Sequence, residues 1–363
     1  MNILVVNAGS SSLKLSLLDP ADEIVAATEV DHWDTDDPPA ALTSFLNGLP
    51  GVDAIGHRIV HGGPKLIKAA VLDAGVRQAI QAATDLAPLH QPRALGGIDA
   101  VAALLPGVPT VVCFDTGFHA TMPAAAATYA LPAAWRERYG LRRYGFHGLS
   151  HAYASRRAAE LLGTSPGRVR VVSCHLGAGA SLAAVRYGQS VDTTMGFTPL
   201  EGLVMATRAG NTDPGLLLWL LTDGRLSVDE LSSGMEHASG LAGLAGTPDM
   251  REVTRAADAG DPAATLALDV YIHRLRQLIA GMAAAMDGLD ALVFTGGIGE
   301  HSAVVRARAV PGFLGAAIDP GRNRAATGDA DISAPGTAVA TLVVTAREDI
   351  EIARQVRAVL STA

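Results

Sequence analysis

The sequence predicts an α/β protein built from two similar domains, and three observations carry that reading. The chain opens "MNILVVNAGSSSLKLSLLD": an apolar run from Ile3 to Val6, a turn of small residues, then Leu13, Leu15 and Leu17 alternating with Lys14 and Ser16. The pattern returns at Arg168 to Gly188, "RVRVVSCHLGAGASLAAVRYG", so that "AGSSSL" at 8–13 is echoed by "GAGASL" at 177–182. Short apolar runs bounded by turn residues read as strands, and a repeated strand, small-residue turn and strand reads as a duplicated domain. The length of 363 residues points the same way, at roughly 150 residues per domain.

The elements follow in order. The first turn uses six small positions where a plain hairpin needs two, which leaves backbone N–H groups and hydroxyls open beside Asn7. Residues 119–135, "HATMPAAAATYALPAAW", break both helical and strand periods with Pro and Ala and place a domain boundary there. The expected domains are 1–118, closed by a C-terminal helix at 349–363, and 119–348. Apolar residues at Leu268, Ile272, Leu275, Ile279, Met282 and Met286 have helical spacing, as do Ile352, Val356, Val359 and Leu360 in the tail. Between these helices "DALVF" runs into Thr295-Gly-Gly-Ile-Gly299-Glu-His-Ser, with Ala303 to Ala309 expected to be helical. A strand, glycine turn and helix N-terminus suits an anion or a nucleotide phosphate.

Composition narrows the partners. Lys plus Arg total 28 against 36 for Asp plus Glu, a net charge of -8, the wrong sign for neutralising a nucleic-acid backbone or an anionic membrane. Neither is expected as a partner. Cys113 and Cys174 lie in apolar runs and make no disulfide framework, so they read as core thiols of a cytoplasmic protein. No apolar stretch reaches ~18 residues without Gly, Pro or charge, and no basic segment precedes the first apolar run, so a soluble protein is expected. The chain has neither GxxxxGK[ST] nor a His-Arg-Asp catalytic loop, and the turn at 296–299 lacks the third glycine of a dinucleotide fingerprint. What remains is a two-domain ATP user whose hairpin turns grip phosphates.

The segments "GHRIVHGG" (56–63), "LAPLHQP" (86–92), "CFDTGFHATMP" (113–123), "RRYGFHGLSH" (142–151) and "DTTMGFTPLEGLVMATRAGNTDPG" (192–215) each set Arg, Asp or His beside Gly or Pro. With NAGSSSLK, HLGAG, "FTGGIGEH" and "TAREDIEIARQ", they resemble the acetate kinase family in order and over nearly the whole chain. The resemblance implies two ribonuclease H-like (actin-like ATPase) domains with an active-site cleft between them, a homodimer, and Mg²⁺-dependent phosphoryl transfer between ATP and acetate, giving ADP and acetyl phosphate. Mn²⁺ is an alternative ion, and a propionate-preferring kinase of the same family is the alternative function.

The resemblance also implies site residues. Asp115, His147 and Arg208 would be catalytic. Arg58 would hold the substrate carboxylate, with Ile59, Val60, Leu89, Phe146 and Pro199 walling the acyl pocket. Lys14, His175, Leu176, Gly177, Ala178, Gly179, Asp249, Met250, Arg251, Gly296, Gly297, Ile298, Gly299 and Glu300 would bind the nucleotide, and Asn7 and Glu348 the metal. The residue types suit the chemistry, because phosphoryl transfer to a carboxylate is mostly positioning plus neutralisation of charge, and arginine forks serve both. Acetate is already ionised at neutral pH, so Asp115 is expected to orient Arg208 or a metal-bound water, not to act as a base. Mg²⁺ needs few protein ligands when the nucleotide supplies phosphate oxygens.

Bland readings exist for each: surface salt bridges for the arginines, a turn residue or cap for Asp115, a helix N-terminus for Glu348, a solvated strand residue for Lys14, core for the acyl wall. Two rival classes are a zinc hydrolase, from the pairs His57/His61 and His147/His151, and a non-catalytic ATP-binding protein. The first pair lies on strand-like sequence, so its imidazoles fall about 13 Å apart, and the second lacks an HExxH glutamate. The chain departs from the family in two places. The usual His-Leu-Gly-Asn-Gly carries Ala178, and Thr-Arg-Ser-Gly-Asp reads Thr207-Arg208-Ala209-Gly210-Asn211, changes expected to weaken nucleotide binding.

Overall fold

The computed structural model describes residues 1–8, 12–31, 40–310 and 312–362, in two compact units. The first comprises Met1–Ala120, Phe146–Tyr153 and Arg347–Ala363, and the second Thr121–Gly145 and Ala154–Ala346. Residues 146–153, which the sequence-based division puts in the second domain, fold with the first unit.

The first unit is built on a mixed sheet of β1 (Ile3–Ala8), β2 (Ser12–Leu18), β3 (Ile24–Asp31), β4 (Ala54–Ile59), β5 (Ala70–Val71) and β6 (Thr110–Phe114), in the order β3-β2-β1-β4-β6-β5. β1, β2 and β3 form an antiparallel meander, whereas β1, β4 and β6 run parallel. Alternate residues of a strand face opposite sides of its sheet, and both faces of β1 are covered. Leu4 and Val6 pack with Leu13, Leu15, Leu42 and Val101. Ile3 and Val5 pack with Val111, Cys113 and the helix Glu348–Leu360 through Ile352, Ala353 and Val356. That helix lies so close to β4 that a Cβ on Gly56 would come within 2.5 Å of Ile352 Cγ2. Its first turn is thereby held beside the end of the sheet.

The second unit repeats the plan with β7 (Arg170–Leu176), β8 (Ala180–Arg186), β9 (Gln189–Thr193), β10 (Ala291–Thr295), β11 (Ala330–Asp331) and β12 (Ala340–Val343), ordered β11-β12-β10-β7-β8-β9. Again three strands form an antiparallel meander, β7-β8-β9, and the first of them, β7, runs parallel with β10, which runs parallel with β12. The expected duplication is therefore present in the strand order. The echoed "AGSSSL" and "GAGASL" are the turns β1–β2 and β7–β8, with residues 9–11 of the former outside the described residues. Cys113 and Cys174 are buried free thiols whose pKa burial pushes up. Among the described residues no helix is long and apolar enough to cross a membrane.

One local expectation is corrected. The glycine turn after β10 is itself helical, Gly296–His301, and Ser302 then caps a second helix, Ala303–Ala309, by accepting from Val305 N at 3.3 Å.

Candidate active site

In an α/β sheet the C-terminal ends of parallel strands are where functional side chains collect. Asn7 lies near the end of β1, Arg58 near the end of β4, and Asp115 directly after β6, so the topology alone brings three polar side chains to one sheet end. Arg58 Nη2 donates to Asp115 Oδ2 at 2.6 Å and Nε to Oδ1 at 3.1 Å, while Nη1 donates to Asn7 Oδ1 at 3.0 Å. Glu348, first residue of the C-terminal helix, has Oε2 3.9 Å from Arg58 Nε. Burial lowers the Arg58 pKa, but the Asp115 and Glu348 carboxylates and the Asp115 hydrogen bond raise it overall, so the guanidinium is a fixed cation. The sequence-based expectation set Asp115 to orient Arg208 or a metal-bound water. Its carboxylate instead receives the Arg58 fork.

The same sheet end holds a group of histidines. His57, His61, His119 and His151 are buried. Burial pushes the pKa of His57 down to about 3 and those of His61 and His119 to about 4, so these three are neutral at pH 7. Phe146, also buried, meets the His61 ring edge to face at 5.6 Å. His147 follows, at φ 55, a left-handed conformation that costs a non-glycine residue about 1 to 3 kcal/mol. Gly148 N then donates to Asp115 O at 3.0 Å, an approach that only glycine allows, because a Cβ there would sit 2.0 Å from that oxygen. Among the described residues no three His, Cys, Asp or Glu side chains are arranged to hold a metal.

The expected acyl wall is mixed in character. Ile59, Val60 and Phe146 are buried, whereas Leu89 is 52% exposed.

In the second unit Arg208 is partly buried, and among the described residues its guanidinium donates to Pro199 O at 3.4 Å and Met205 Sδ at 3.8 Å. Among the described residues no carboxylate lies within ion-pair distance of it, and burial lowers its pKa. Glu236 acts on it through the longer-range field alone, partly offsetting burial, and a partly desolvated cation with no carboxylate in direct contact is suited to receive an anion. The loop carrying Pro199 is firmly held, which sequence reasoning missed. Arg143 donates to the carbonyls of Thr193, Thr194 and Met195 and pairs with Glu201, and Tyr129 Oη donates to Glu201 at 2.7 Å while accepting from Phe197 N at 2.8 Å.

The expected nucleotide residues fall into two groups. Thr295 pairs with His175 in register, so the β7–β8 turn and the start of the helix Gly296–His301 are adjacent. Gly296, at φ 77, admits this approach, because a Cβ would come 2.9 Å from Leu176 O. Gly177 N donates to Gly179 O at 3.0 Å across the turn, Ala178 is exposed, and space beside Gly297 is open. The other group is occupied within the protein. Glu300 Oε1 accepts from Gly296 N and Ala346 N, both at 3.0 Å, and so holds the loop in shape. Met250 is buried, Asp249 caps its helix and pairs with Arg251, and Lys14 pairs with Glu29 on the exposed face of β2 and β3.

The acetokinase family model matches residues 40–354. The chain belongs to the acetokinase family. An acetate kinase of Nostoc punctiforme is 44% identical, with 98% of each chain covered. Among solved structures, acetate kinase of Porphyromonas gingivalis superposes with TM-score 0.90 at 36% identity, covering 99% of both chains. A propionate kinase of Francisella tularensis gives 0.91 at 35%, covering 98% of this chain and 99% of that one.

Against the acetokinase pattern, the two departures differ in consequence. Asn211 Oδ1 accepts from Gly202 N at 2.9 Å and its own N–H donates to Gly202 O at 3.0 Å. An amide oxygen serves there as a carboxylate oxygen would, so this change preserves a loop contact. Ala178 offers only its backbone, whose carbonyl accepts from Ala206 N at 3.1 Å.

Proposed function

We propose that the protein transfers the γ-phosphoryl group of ATP reversibly to acetate, forming acetyl phosphate and ADP. The observation that carries this reading is the pair of differently prepared arginines. Arg58 is fixed by Asp115 and Asn7 at a sheet end, suited to hold a carboxylate through its remaining donor face. Arg208 is partly desolvated and makes no carboxylate ion pair among the described residues, suited to charge that develops on the transferring group. Acetate needs no base to attack phosphorus, so Asp115 acts by aiming Arg58, and His147 donates a hydrogen bond to an equatorial oxygen.

Bound Mg²⁺ would neutralise charge on the β- and γ-phosphate oxygens. The residues fit such an ion. Glu348 makes only a 3.9 Å contact with Arg58, and Asn7 Oδ1 keeps a second lone pair; both are hard oxygen donors, and Mg²⁺ takes few of these from protein. The β7–β8 turn and the open space beside Gly297 would receive the nucleotide.

The assembly that goes with this reading is a homodimer. It is supported by the helix Pro214–Leu221, "PGLLLWLL", in which no residue is buried and Leu218 and Trp219 are 66% and 54% exposed. A helix apolar on every side normally has a covering surface. Free buried thiols suit a reducing cytoplasm.

Trapping acyl phosphate with hydroxylamine tests the activity. ATP, Mg²⁺ and acetate should give acetohydroxamate with stoichiometric ADP, and absence of both overturns the reading. Propionate competes for the same site, since a methylene changes binding by only ~1 to 3 kcal/mol. Relative kcat/KM for acetate, propionate and butyrate decides the preference.

A further inference from the structure

We propose that His119 is a positioning residue that sets the direction of His147 by holding the peptide plane in front of it, an inference resting on the reading that His147 acts in phosphoryl transfer. His119 is fully buried after β6, and its Nε2 lies 3.0 Å from Phe146 O. A carbonyl oxygen only accepts, so Nε2 carries the hydrogen. The His119 ring is itself packed edge to face against Phe118 and His151, at 5.7 and 5.8 Å.

The geometry makes this bond more than local packing. The Phe146 carbonyl belongs to the peptide whose orientation defines φ of His147, the one residue of the segment 146–150 with a left-handed, non-glycine φ. The peptide on the other side is held as well, because Gly148 N donates to Asp115 O at 3.0 Å. Both planes flanking His147 are thus clamped from the segment 115–119, one by a side chain and one by a main-chain carbonyl. Asp115 consequently serves two ends: its carboxylate aims Arg58 and its carbonyl seats the residue after His147. Without the His119 bond the Phe146 carbonyl can turn, φ of His147 relaxes toward the ordinary negative region, and the imidazole leaves its place while the pockets stay intact.

Three variants and one spectrum test this. Gln places its amide nitrogen at about the reach of Nε2, whereas Asn reaches only to Nδ1 and Leu donates nothing. His119→Asn and His119→Leu should lower kcat tenfold or more with KM for acetate and ATP within twofold of wild type, and His119→Gln should restore kcat to within threefold. Equal losses in all three variants, or losses confined to KM, overturn the proposal. On the wild-type protein, ¹⁵N-histidine NMR at pH 7 should show His119 as the neutral Nε2–H tautomer. An Nδ1–H tautomer overturns the clamp whether or not the variants fold. Wild type without acyl phosphate formation would remove the proposed function, and the tautomer would still decide the clamp.

Discussion

Arg58 and Asp115 meet through two donors of one guanidinium, with Nη2 and Oδ2 2.6 Å apart and the Asp115 side chain 1% exposed. A two-pronged contact fixes the plane of the fork as well as its position. It also ties the two residues energetically, since removing one partner strands a buried charge.

Arg58→Ala should therefore raise the acetate KM at least tenfold and lower the melting temperature together. The double change Arg58→Ala with Asp115→Asn separates the two effects: stability should return and the raised KM should persist. Arg208→Ala, which breaks no carboxylate ion pair among the described residues, should instead lower kcat by a factor of a hundred or more if, as proposed, its charge is used in the transition state. Steady-state kinetics beside thermal melts check both, and a change confined to the ATP KM in either variant counts against the assignment.

Glu348 is not the cap of its helix. The capping position is Arg347, which pairs with Asp349, and no side-chain cap bond is present. Glu348→Ala should accordingly leave the melting temperature within a few degrees, while the Mg²⁺ concentration for half-maximal activity rises severalfold. An unchanged magnesium dependence with a lowered melting temperature would show that Glu348 serves only the helix.

Acid should weaken the first unit in a definite window. His57, His61 and His119 have folded pKa values pushed by burial to about 3, 4 and 4, below the ordinary 6.5. The unfolded chain then binds more protons than the folded one between those limits. Their stabilising contribution is complete above about pH 6.5 and is lost as pH falls toward 4, with a slope approaching about 1.4 kcal/mol per pH unit for each residue. Urea unfolding at pH 7.5, 6 and 5 should show this fall, and His119→Gln should flatten it. A profile flat from 7.5 to 5 would contradict it.

What the sequence reveals of this fold follows from period and composition. β1, β2, β7 and β8 are legible because buried and alternating strands write themselves into side-chain hydrophobicity, and the repeated small-residue turn marks the duplication in the sequence itself. Asn7, Arg58 and Asp115 are nameable from their motifs, yet their convergence depends on β1, β4 and β6 lying side by side and parallel, a pairing that no local window contains. The His119 bond is less legible still, since it joins a side chain to a main-chain oxygen 27 residues away. For Glu300 and Met250 the sequence does not show what the side chains do within the fold: Glu300 accepts from two main-chain N–H groups and Met250 is buried.

The last prediction concerns Ala178, exposed at the tip of the β7–β8 turn. The turn is closed by Gly177 N on Gly179 O and anchored by Ala206 N on the Ala178 carbonyl, all main-chain contacts. A larger side chain at 178 can therefore be added without disturbing what holds the turn. An asparagine there brings an amide donor to the expected phosphate site, and a hydrogen bond to a charged group contributes about 1.5 to 3 kcal/mol where water does not replace it. With partial exposure only part of this survives, so Ala178→Asn should lower the ATP KM severalfold, with acetate KM and melting temperature nearly unchanged. If the substitution moves the acetate KM and leaves ATP alone, the turn does not cradle phosphate and the nucleotide assignment of residues 175–179 falls.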